Sequence, residues 1–124
     1  MPVQVSPERF DEIVGEALDL IPEELAARME NVAVLTADAP SPTQRRGRTG
    51  RSLLGLYEGV NLTRRSPVRY SAVMPDRITI FRLSHCRIVR DEDELRRRVA
   101  RTVAHEIAHH FGISDDRLRE LGAY

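Results

Sequence analysis

The chain contains no lysine and no tryptophan, and only one cysteine. All nineteen basic side chains are arginine. Arginine keeps its charge in any site and pairs bidentately with carboxylates. The single Cys86 excludes an internal disulfide and fits a reducing compartment. No run of eighteen or more apolar residues exists, so no membrane span is predicted. Met1 to Ser6 has neither a basic cap nor an apolar core, so a signal peptide is not expected. Together these absences predict a cytoplasmic protein. Formal net charge is zero, so nothing global argues for nucleic acid or an anionic membrane.

At 124 residues the chain suits one domain, 1–124, with one modest core. Ser6-Pro7-Glu8 reads as a helix start, with a hydroxyl cap, Pro at the first helical position and an acid at the positive dipole end. Phe10, Ile13, Val14, Ala17, Leu18 and Ile21 follow as one apolar stripe, and Pro22 stops it. A second short helix is expected from Pro22 to about Met29. Val32 to Thr36 reads as a strand. Residues 38–51 hold two Pro, two Gly and four Arg without periodicity and read as a loop. No aromatics interleave those arginines, which favours a solvated loop over a nucleic-acid contact. Leu53 to Tyr57 is a second strand candidate, and Arg77 to Arg82, rich in β-branched and aromatic residues, is a third. His85 and Cys86 fall in the connection that follows and are read as structural.

Asp91 can cap a long helix, with Glu94 three residues on completing a capping box. Glu92, Asp93 and Glu94 each precede an arginine by four, namely Arg96, Arg97 and Arg98, as ion pairs on an exposed helix face do. Leu95, Val99, Val103, Ile107 and Phe111 step by four along the other side and predict the buried stripe. Off that stripe lies His105-Glu106-Ile107-Ala108-His109. Histidines at i and i+4 lie one turn apart on one face, where two imidazoles reach one metal ion. Neutral imidazole suits zinc, and two such ligands leave room for a third and a water. Glu106, beside the pair, is placed to take a proton from that water. Gly112 favours a left-handed reversal, which would return Asp115 to the same metal as third ligand. Asp116 and His110 are the competing donors. Asp115 to Gly122 reads as a last short helix.

The segment from His105 to Asp115 resembles the zincin metallopeptidases with a metzincin-type extended motif. The whole chain is similar to the minimal zincin-like putative metallopeptidases, a family of small bacterial proteins. Leu53 to Gly59, Pro75 to Arg82 and His105 to Leu121 carry this likeness. It departs from the metzincins in having no methionine after the motif, the last being Met74. The resemblance implies an α+β, minimal zincin-like fold: a small sheet of about three strands packed with the active-site helix and N-terminal helices. It also implies that the strand before that helix, at Ile78, Thr79, Ile80 and Phe81, offers a free edge to an extended peptide. From sequence alone an interior strand is an equal reading.

The expected activity is zinc-dependent hydrolysis of a peptide or protein substrate, with His105, His109 and Asp115 on the metal and Glu106 as general base. No donor for the oxyanion stands out; Tyr124 or an arginine would serve. The alternatives are a zinc-binding adaptor without turnover and, third, an Arg-loop nucleic-acid binder.

Overall fold

The computed structural model describes residues 2–46, 53–59 and 76–124. Helix α1 spans Pro7–Leu18, with the Ser6 hydroxyl accepting from the Arg9 N–H at its N-terminus and Phe10, Ile13, Val14 and Ala17 buried. Helix α2, Glu23–Ala26, passes into a 3₁₀ turn at Ala27–Met29. Strand β1 is Val32–Ala37. A one-turn helix α3, Pro42–Arg45, interrupts the expected loop. Its Ser41 and Gln44 form a reciprocal capping box behind a Pro at the first turn, a local signal strong enough to order one turn. Residues 47–51 of that loop, with Arg48 and Arg51, lie outside the described residues, as do 60–75.

Strand β2 is Gly55–Glu58 and strand β3 is Asp76–Phe81. The sheet order is β1-β3-β2, with β1 parallel and β2 antiparallel to β3. The architecture is therefore α+β, a three-stranded mixed sheet with six helices among the described residues. The middle position of β3 corrects the expected edge role of Ile78, Thr79, Ile80 and Phe81. All four are buried, and both sides of the strand are paired. A strand apolar on both faces loses most by standing at an edge, so it takes the centre.

Helix α4, Arg82–Ile88, occupies the segment expected as a connection. The fully buried His85 holds it in place. Its Nδ1 lies 3.0 Å from the Phe81 carbonyl and its Nε2 lies 2.8 Å from the Thr102 hydroxyl. A carbonyl only accepts, so Nδ1 carries the proton and Nε2 accepts from Thr102. Burial depresses the His85 pKa to about 4, with the Arg98 charge adding to the fall, and keeps the ring neutral. The N-terminal segment is tied to α4 through the Val3 N–H, and the Arg82 guanidinium bonds both Asp38 and the Val5 carbonyl.

Helix α5, Glu92–Phe111, is the spine of the fold. The Asp91 carboxylate caps it through the Glu94 N–H at 2.8 Å. Leu95, Val99, Val103 and Ile107 are fully buried, as predicted, and pack with α1 in the core. Phe111 is not part of that stripe; it is 38% exposed. A four-residue step gains about 40° on a 3.6-residue turn, so sixteen residues rotate Phe111 about 160° from Leu95. Ala104 and Ala108 fill the buried face instead. The predicted ladder of acids and arginines four apart is also rearranged. Glu92 pairs with Arg9, Arg96 with Glu16 and Asp93, and Glu94 with Arg90. Glu16 on α1 lies within reach of Arg96 and competes with the acids of its own helix.

Gly112 ends α5 in the left-handed conformation, φ 72°, and the Ile113 N–H returns to the Ala108 carbonyl at 2.8 Å. Helix α6, Asp115–Glu120, follows with Ser114 as its cap, and the buried Leu118 docks it on the core. Among the described residues no helix is long and apolar enough to cross a membrane.

Candidate active site

The second side of α5 faces β2. Thr102, Glu106 and His110, spaced by four, form one stripe along it. Each meets the strand. The Thr102 methyl lies where a side chain on Gly55 would stand; a Cβ there would come within 2.8 Å. The Glu106 carboxylate accepts the Tyr57 N–H at 2.8 Å. The His110 ring stacks on the Tyr57 ring with centroids 3.9 Å apart.

The register explains why β2 supplies these groups. Leu54, Leu56 and Glu58 turn their polar backbone towards β3, as the Phe81 N–H to Leu54 carbonyl bond shows. In an antiparallel ladder the alternate residues then point the other way. Gly55 and Tyr57 therefore direct their N–H and C=O groups to the open side of β2, where α5 carries its polar stripe. Among the described residues, the edge position expected of Ile78 to Phe81 falls to β1 and β2, and β2 is the one that faces the stripe on α5.

A cleft of about 620 Å³ opens between β2 and α5, lined by Leu53, Gly55, Thr102, His105, Glu106 and Tyr124 among others. A smaller one of about 280 Å³ continues past Glu106 to His109 and His110. Glu106 thus lines both cavities, beside the face that His105 and His109 share. His105 is half-buried; desolvation lowers its pKa, opposed by the Asp115 charge and assisted by Arg98 and Arg101. Its ring centroid lies 5.0 Å from that of Tyr124, which in turn sits under the Arg119 guanidinium at 4.0 Å.

The structure brings the predicted ligands together only in part. His105 and His109 share one helical face, and Asp115, at the start of α6, acts electrostatically on His105. Among the described residues, no group of three or more His, Cys, Asp or Glu side chains gathers as a metal-binding set. Of the competing donors, Asp116 pairs with Arg119 at 3.1 Å, and His110 is turned towards Tyr57 and Asp76. The donor chemistry fits a borderline cation such as zinc: an imidazole held neutral by desolvation, a second one a turn away, and a carboxylate after a glycine reversal.

Three participants, Tyr57, Asp76 and Thr102, do not stand out in the sequence. Tyr57 donates its N–H to Glu106, and its hydroxyl donates to Asp76 at 2.7 Å. Burial, then that hydrogen bond, holds the phenol above the ordinary tyrosine range, so it stays protonated. Thr102 links His85 to the cleft wall. The four-residue spacing of Thr102 and Glu106 on α5 is readable, but the strand facing them is not.

Comparison with known proteins completes the picture. No curated protein is similar enough in sequence to count as a match. Among solved structures, a conserved hypothetical protein from Thermo thermophilus shares the fold, with a TM-score of 0.51 and 23% identity over 90% of this chain and 99% of that one. At the level of families, residues 29–123, from the turn before β1 to just past α6, match the zincin-like metallopeptidases, and the chain belongs to that family.

Proposed function

We propose that the protein is a zinc-dependent peptidase, acting as one domain over residues 1–124, with His105, His109 and Asp115 as metal ligands and Glu106 as general base. The observation that carries this reading is the placement of Glu106 beside the His105–His109 pair on a cleft wall of α5, facing β2, the outer strand of the described sheet. Zinc, when bound, supplies Lewis acidity and a water acidified towards a pKa of about 7.

The chain's own groups do the rest. The Tyr57 N–H holds the Glu106 carboxylate in place. Glu106 removes a proton as water adds to the scissile carbonyl, and delivers it to the amine as the C–N bond breaks. The outward groups of Gly55 offer an extended substrate backbone the hydrogen bonds of a further strand. Tyr124, in the cleft beside His105, is the phenol placed to meet the oxyanion. The lone Cys86 is buried as a free thiol, which suits a reducing, cytoplasmic setting.

The test is elemental analysis of purified wild type beside His109→Ala and Asp115→Ala, followed by cleavage of an unfolded-protein substrate. One zinc per chain, lost in both variants, with cleavage abolished by Glu106→Gln, is the expected result. A second reading is a zinc-binding adaptor without turnover. It is favoured by the Glu106 carboxylate already accepting a backbone hydrogen bond. Stoichiometric zinc with no cleavage of any peptide would select it.

A further inference from the structure

The cleft beside His105 is basic at one end. Arg98 and Arg101 line it, Arg101 one turn before His105 on α5 and Arg98 two turns before Glu106. Helical spacing places Arg101 on the stripe of His105 and Arg98 on the stripe of Thr102 and Glu106. Both guanidinium charges reach the His105 ring.

Among the described residues, the acids nearest in sequence spacing are taken by other groups. The acid four residues before Arg98 is Glu94, and it pairs with Arg90 at 3.6 Å. Glu106, on the same stripe as Arg98, accepts from the Tyr57 N–H. The arginines that tie elements together are engaged: Arg9 with Glu92, Arg96 with Glu16, Arg117 with Glu24. Arg98 has a further feature. Its Nε is buried without a hydrogen-bond partner, and among the described residues it is the one buried side-chain nitrogen or oxygen left so. Buried donors are almost always satisfied, so this one marks a guanidinium beside the cleft that the described fold leaves short of an acceptor. Guanidinium presents its donors as a planar fork that matches a carboxylate bidentately.

We propose that Arg98 and Arg101 form a carboxylate-binding subsite, so that the cleft selects peptides bearing an acidic group about one to two helical turns along α5 from the reacting bond. This rests on the peptidase reading for its meaning, since it names the substrate class of that site. The carboxylate comes either from an internal Asp or Glu side chain or from the free end of a peptide.

Binding separates this subsite from the fate of the metal. Fluorescein-labelled hexapeptides of Ala and Ser would be titrated by polarisation against the full chain carrying Glu106→Gln, so that nothing is cut. One peptide has a central Glu and an amidated end, one has Gln in its place, and one is neutral with a free C-terminal carboxylate. A charge-assisted bidentate contact should make one of the carboxylate peptides bind about ten-fold tighter than the Gln peptide. Preference for the Glu peptide assigns an internal acid; preference for the free end assigns a chain terminus. Adding Arg101→Gln, at an exposed position, should reduce the preference, and adding Arg98→Gln as well should abolish it, with Arg98→Lys restoring part. Equal binding of the three peptides, no binding of any, or a preference that survives in the double variant overturns the proposal. A protein that holds no zinc and cuts nothing, yet shows the arginine-dependent preference, would fail the peptidase reading and keep the subsite.

Discussion

The two sides of α5 are built on different terms. The side facing α1 is dry: Phe10, Ile13, Val14 and Ala17 pack with Leu95, Val99 and Val103, and charge pairs between Arg9 and Glu92 and between Arg96 and Glu16 flank the contact. The side facing β2 is polar. Gly55, Thr102, Glu106, Tyr57 and His110 meet there through hydrogen bonds and stacked rings around open space. The first interface ties the fold together; the second gives up packing for a cleft. A helix that carries a reactive stripe needs both, because only the dry side can fix the polar side to the fraction of an ångström that proton transfer requires.

Substitutions on the two sides should therefore fail differently. On the polar side, Glu106→Gln keeps an acceptor for the Tyr57 N–H but removes the base. Peptide cleavage should fall about 10²- to 10⁴-fold, with the thermal midpoint and the metal content close to wild type. An unchanged rate would remove Glu106 from the chemistry. On the dry side, Ile13→Ala empties a fully buried position. It should cost about 2–5 kcal/mol in urea unfolding while the folded fraction keeps its full rate and its metal. If Ile13→Ala also changed the rate of the folded protein, the two sides would not be separable as argued.

How much of this was legible in the sequence follows the same divide. Much of what is set within a few residues could be read: the Ser6 and Asp91 caps, the reversal at Gly112, the buried steps from Leu95 to Ile107. Phe111 is misplaced only because a four-residue step is run past the point where a 3.6-residue turn carries it off the core face. Strand order was not legible, because it is decided by pairing across more than forty residues between β1 and β3. The both-faced burial of Ile78 to Phe81 was the one local sign that β3 is central. Helix α4 escapes for a similar reason: His85 is held by Thr102, seventeen residues on. The proposed ligands His105, His109 and Asp115 rest on a spacing in the sequence; the groups of β2 that face α5 were not legible there.

His85 sharpens the comparison, since it joins the sheet to α5 from within the core. Its folded pKa of about 4 lies below the ordinary 6.5, so the folded state favours the neutral ring. Unfolding then takes up a proton below pH 6.5, and the stabilisation is complete above that pH and lost as pH falls towards 4. Between pH 7.5 and 4.5 this group should remove roughly 2.5 kcal/mol of stability. Urea melts at the two pH values would measure it, and His85→Gln should show a smaller difference than wild type. An equal difference in both proteins would assign the acid sensitivity elsewhere.

The smallest expected effect is the most local. Gly55 has no room for a methyl group, because a Cβ would stand 2.8 Å from the Thr102 methyl, with the Ile80 side chain and Thr79 carbonyl each 3.3 Å away. Gly55→Ala should cost about 1–3 kcal/mol through overpacking. It should also shift β2 from α5, lengthening the Tyr57 to Glu106 hydrogen bond and lowering the cleavage rate. Thr102→Ser removes the clashing methyl but keeps the hydroxyl that donates to His85. Combined with Gly55→Ala it should recover most of both losses, where two independent defects would add. Recovery of stability without recovery of rate would mean that Gly55 serves the substrate through its backbone and not only through the fit of strand to helix. That outcome would move Gly55 from the packing of the polar side into its chemistry.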